Sequence, residues 1–119
     1  MEKLASQCPC CGGAMEIERL RCTSCAVAVE GKIPVPRLGR LNAEDREFAE
    51  LFLRAGGSLK AVAAKLGISY PTVRNRLDRV IKALETAETQ ERDRRRGILD
   101  DLEAGKVSVD EAVARLREL

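Results

Sequence analysis

Five cysteines lie between positions 8 and 25 of this 119-residue chain, which contains no histidine. Cys8-Pro9-Cys10-Cys11-Gly12-Gly13 and Cys22-Thr23-Ser24-Cys25 read as two CxxC pairs, Cys8/Cys11 and Cys22/Cys25, with ten residues between them. Each CxxC turn places two thiolates on one side of a metal ion, and two such turns complete the tetrahedron that Zn2+ prefers. The pattern predicts one structural zinc per chain, held by Cys8, Cys11, Cys22 and Cys25. Such a closed shell has no open position for a reacting water. Disulfides and a thioredoxin-type redox pair are the alternatives. The first is disfavoured in a cytosolic chain, and the second lacks a βαβ context. Gly12-Gly13 supplies the positive φ needed to leave the first knuckle, whereas Ala26 stands where glycine is common in the second. Cys10 reads as a spacer thiol, with substitution for Cys8 or Cys11, or oxidant sensing, as its other readings.

A second chemistry lies further along. Between Ser58 and Lys82 there are six basic residues, Lys60, Lys65, Arg74, Arg76, Arg79 and Lys82, against Asp78 alone. Such an excess neutralises phosphates or simply forms a solvated helix face. If Val73, Leu77 and Val80 are buried, Tyr70, Pro71, Arg74, Asn75 and Asp78 point outward. Arginine pairs with guanine O6/N7 and asparagine with adenine N6/N7, both in bidentate fashion. Thr72, Tyr70, Arg76, Arg79 and Lys60 suit backbone phosphates, and Ser69 completes the DNA-facing set.

The elements that must position these residues follow from periodicity. Met15–Leu20 alternates apolar and charged residues as a half-buried strand, and Ala26–Val29 reads as a second, ending in a turn at Glu30-Gly31-Lys32. Ile33-Pro34-Val35-Pro36-Arg37 is an extended connector. Asn42 caps a helix with Phe48, Leu51, Phe52 and Ala55 on one face, stopped by Gly56-Gly57. Ser58 opens a short helix with Leu59, Val62, Ala63 and Leu66 inward, and Gly67 closes it. Ser69 caps a third helix, with Pro71 in its first turn and Val73, Leu77, Val80, Ile81 and Leu84 along it. Residues 85–97 are almost wholly polar, a linker or an extension of that helix. Ile98, Leu99 and Leu102 form a small stripe broken by Gly105. Ser108-Val109-Asp110-Glu111 is a capping box for a last helix with Val109, Ala112, Val113 and Leu116 inward. The expected fold is mainly α with a small N-terminal β zinc ribbon. The units are a ribbon at 1–36, a three-helix helix-turn-helix core at 42–84, and a two-helix hairpin at 98–119.

Charge divides along the chain: residues 1–42 carry six basic and four acidic groups, 43–84 eight and five, and 85–119 seven and ten. No apolar run approaches the roughly 18 residues of a membrane span. The opening MEKLASQCPC has no apolar core, so no signal peptide is expected and cytoplasmic residence is. Without histidine or a catalytic motif, the chain is not expected to be an enzyme.

The run LKAVAAKLGISYPTVRNRLDRVIKAL resembles the helix-turn-helix of Fis-type and sigma-factor-like DNA binders, apart from Arg76, where many place an aliphatic residue. The blocks CPCCGG, RLRCTSC, EDREFAELFLRAGG and LGISYPTVRNRLD together resemble the prokaryotic family called domain of unknown function 2089. The tail ILDDLEAGKVSVDEAVARLREL is similar to SHOCT-like two-helix modules. The resemblance implies a transcriptional regulator that binds double-stranded DNA. A homodimer is expected, because one recognition helix reads few base pairs, and residues 98–119 are the candidate dimerisation segment. The alternative is an adaptor whose ribbon and bundle bind a protein of the transcription machinery, RNA polymerase or a sigma factor.

Overall fold

The computed structural model describes residues 4–5 and 7–119. Two strands, β1 (Glu16–Arg21) and β2 (Ala28–Pro34), form an antiparallel hairpin. The chain reverses at the second cysteine turn, so Arg21 pairs with Ala28, Leu20 with Val29 and Ile17 with Ile33. The expected turn at Glu30-Gly31-Lys32 is therefore corrected. Reversal is already complete before Ala28, and pairing runs on through these residues with an irregularity between Ile17 and Arg19. The extra residue on β2 is taken up there as a bulge. The apolar Ile17–Ile33 pair, half-buried on both sides, rewards the longer strand. Much of the connector thus belongs to β2, and Arg37–Arg40 forms a short 3-10 helix.

Four helices follow: α1 (Ala43–Arg54), α2 (Leu59–Leu66), α3 (Tyr70–Glu103) and α4 (Val109–Arg117). Each opens on a side-chain cap that satisfies an otherwise orphaned N–H. Asn42 Oδ1 accepts from Asp45 N at 2.8 Å, and Ser58 Oγ from Ala61 N at 3.1 Å. Ser69 Oγ accepts from Thr72 N at 3.4 Å, and Ser108 Oγ from Glu111 N at 3.2 Å. Gly67, at φ +64°, ends α2 in the left-handed conformation that lets α3 leave at an angle.

The core is Leu41, Phe48, Val62, Val73 and Val80, with Leu51, Phe52, Leu59, Ala63, Ile68, Leu77 and Leu84 packed around it. Ala63 is small where α2 and α3 approach. Two expected core positions lie outward: Leu66, the last residue of α2, where the chain is already turning, and Ile81, about 100° around α3 from buried Val80. In exchange, Val35 of the connector and Leu41, just after the 3-10 helix, are both buried. A Cβ on Gly39 would stand 2.9 Å from Val35 Cγ1, so the 3-10 turn closes over Val35 only with glycine there.

Residues 85–97 are helical throughout, making α3 a single helix of 34 residues, about 51 Å at 1.5 Å per residue. Gly105, at φ +71°, turns the chain back, and α4 rests on α3 through buried Ala112. That small side chain sets the closest approach and rotates Val109 and Val113 to the rim, correcting the inward orientation expected for both. Among the described residues no helix is long and apolar enough to cross a membrane.

Candidate nucleic-acid interface and metal centre

Both cysteine turns fold through the same two hydrogen bonds. In the first, Gly12 N donates to Cys8 O and Cys8 N to Gly13 O, each at 2.8 Å. In the second, Ala26 N donates to Cys22 O at 3.0 Å and Cys22 N to Val27 O at 2.7 Å. Gly12 and Ala26 occupy equivalent positions with φ +73° and +62°. Ala26 thus accepts the left-handed conformation at a cost of about 1 kcal/mol relative to glycine. The second knuckle repeats the first position for position, although only the cysteines are shared.

The backbone also prepares the sulfurs. N–H groups of Cys11 and then Cys10 hold the Cys8 thiol below its ordinary pKa, and those of Cys25 and Ser24 do the same for Cys22. A donor aimed at sulfur favours the thiolate, the form that binds metal. Cys10 contributes its amide, 3.4 Å from Cys8 Sγ, while its own side chain is exposed. None of the five cysteines is disulfide-bonded. Among the described residues no three Cys, Asp or Glu side chains form one metal-sized group. The donor chemistry and the paired knuckles fit zinc, and closing the shell requires the two pairs to meet.

The set of residues expected to face DNA divides in two. Tyr70, Pro71, Arg74, Asn75 and Asp78 are exposed on its first turns, as is Lys60 on α2. Arg74 Nη2 lies 3.2 Å from Asp78 Oδ1, both side chains 54% exposed, an i,i+4 pair that is easily exchanged. Asn75 makes no side-chain hydrogen bond among the described residues. The remaining four side chains have structural partners. Ser69 and Thr72 share a hydroxyl hydrogen bond of 2.7 Å at the helix cap. Arg76 pairs with Glu44, and its guanidinium lies 5.6 Å from the centroid of the Phe48 ring. This accounts for a cation at a position where an aliphatic side chain is usual: the aromatic ring of α1 receives it. Arg79 donates to Asp45 Oδ1 at 2.6 Å, and the Asp45 side chain is only 5% exposed. These partners lie on α1, far away in sequence, so the basic count alone did not reveal them. The Glu44-Asp45 pair in the first turn of α1 was the available signal.

Fold and site together define a zinc-ribbon and helix-turn-helix chain. The model of a family described as "Domain of unknown function (DUF2089)-HTH" matches residues 41–87, and "DUF2089 zinc ribbon" matches residues 8–37. Between them they cover more than half of the sequence, and the chain belongs to this family. No curated protein matches it, and no solved structure does.

Proposed function

We propose that this protein is a cytoplasmic, non-catalytic transcriptional regulator that reads double-stranded DNA with the first turns of α3. One observation carries the reading. Tyr70, Arg74 and Asn75 stand exposed on a helix that Val73 and Val80 lock into the core. A rigid helix presenting an arginine and an asparagine near its N-terminus has the chemistry of major-groove readout. One zinc per chain, held by Cys8, Cys11, Cys22 and Cys25, is the structural clamp of the ribbon.

Duplex selection from a random pool, followed by binding at increasing salt, tests the reading. Affinity should fall steeply with salt, and Arg74→Ala and Asn75→Ala should each relax base preference by roughly 1–3 kcal/mol at one position. No DNA affinity at any salt would replace it with the adaptor reading, binding RNA polymerase or a sigma factor. That reading draws on the exposed Leu20–Val29 pair of the ribbon.

Homodimerisation through residues 98–119 is part of the proposal, supported by exposed Leu99, Val109 and Val113 on the α3–α4 hairpin. Truncation after Arg96 should turn a dimer into a monomer by light scattering and weaken specific binding.

A further inference from the structure

Arg79, Lys82, Thr86, Gln90 and Arg94 recur along α3 at spacings of three and four, which puts them on one side of the helix. Facing them across a groove are Arg37 and Arg40 of the 3-10 helix, and the first cysteine knuckle closes the third side with Gly12 and Ala14. The groove is open to solvent, and its volume of about 500 Å³ is within the range of small-molecule sites. Five cations line it and no carboxylate does.

Their counter-charges stand behind the wall and are too few. Arg37 Nε and Arg40 Nη2 share Glu91, at 2.8 and 3.4 Å, and Arg79 takes Asp45. Lys82 forms no ion pair among the described residues, and Arg94, whose Nε donates to the Gln90 carbonyl, acts on Glu91 only through its charge, without direct contact. A recess with low-dielectric walls strengthens the field of such unpaired charges. Its floor alternates Ala83 and Ala87 with Thr86 and Gln90, room for a flat apolar body beside hydrogen-bonding groups.

We propose that this groove binds a small phosphorylated molecule. Cations converging from two walls suit a tetrahedral dianion with several oxygens, and arginine forks pair with phosphate bidentately. A volume of about 500 Å³ matches a molecule of nucleotide size rather than the body of a DNA duplex. Because the walls come from the knuckle, the connector and α3, an occupant bridges the ribbon and the helix proposed to read DNA. The binding site itself stands independently of that DNA reading.

Amide NMR shifts of the full-length, zinc-loaded protein, titrated separately with inorganic pyrophosphate and with AMP at low salt, test the proposal. Saturable shifts are expected at Gly12, Thr86 and Gln90. They should weaken by at least about tenfold in Lys82→Gln/Arg94→Gln, which removes two exposed cations without breaking an ion pair. Absence of shifts up to about 10 mM of either probe overturns the proposal, as do shifts that the double substitution leaves unchanged. If the groove responds only to duplex DNA, and the double variant abolishes that response, it is a backbone clamp and the small-molecule site is overturned. Failure of the DNA reading shows separately, as loss of duplex binding while the pyrophosphate shifts persist.

Discussion

Arg74 and Arg79 lie on the same helix, but their charges do different work. Arg79 neutralises Asp45, whose carboxylate is almost wholly buried beside the α1 cap. Arg79→Ala leaves that carboxylate without its partner and should cost about 1–3 kcal/mol of stability by urea denaturation. Adding Asp45→Asn should recover most of the loss, since the two residues act as a unit. Arg74→Ala should stay within about 0.5 kcal/mol of wild type, because its only partner among the described residues is exposed Asp78. Among the cysteines, Cys22→Ser should release zinc, measured by metal analysis of the purified protein. Cys10→Ser should retain it, because Cys10 serves the first knuckle through its amide rather than its sulfur.

The element scale separates what the sequence discloses from what it does not. Asn42, Ser58, Ser69 and Ser108 were legible as caps because a cap is a contact across three residues, present in the local string. The CxxC spacing was legible for the same reason. The length of β2 was not: its pairing depends on where the second knuckle reverses the chain, and Ile33 finds Ile17 only after that reversal. Nor were Val35 and Leu41, whose burial depends on packing between separate elements, or Arg76 and Arg79, whose partners come from α1. Polar residues 85–97 left linker and helix both open, since an exposed helix needs no apolar stripe. Gly97 is the weak point of that exposed run, and a Cβ there meets nothing within 4 Å. Gly97→Ala should therefore raise stability by about 0.5–1 kcal/mol and increase helical circular dichroism.

Across the whole molecule, Glu91 joins the connector to α3. The Arg37 hydrogen bond, followed by the charges of Arg37, Arg40 and Arg94, holds its carboxyl below the ordinary 4.5 despite partial burial. A carboxylate whose pKa is lowered by folding stabilises the folded state while ionised. That contribution is complete above the unfolded value and disappears as pH falls through the lowered one. The connector should thus loosen from α3 below about pH 4.5, seen as a falling denaturation midpoint. Glu91→Gln should be less stable at neutral pH and should flatten that acid limb. The contact between Lys32 and Glu118, at 3.3 Å, links β2 to the region just after α4, but both side chains are largely exposed and contribute little to holding the modules.

The unbroken run from Tyr70 to Glu103 also constrains how this chain can change in length. Each residue gained or lost between Arg94 and Ile98 swings α4 by about 100° around the axis of α3 and displaces it by about 1.5 Å. A single-residue change would point the hairpin in a new direction relative to Tyr70 and Asn75. A seven-residue insertion alters that bearing by only about 20° while lengthening the shaft. Descendants of this sequence are therefore free to vary the reach of the tail in blocks of seven, with its compass heading preserved.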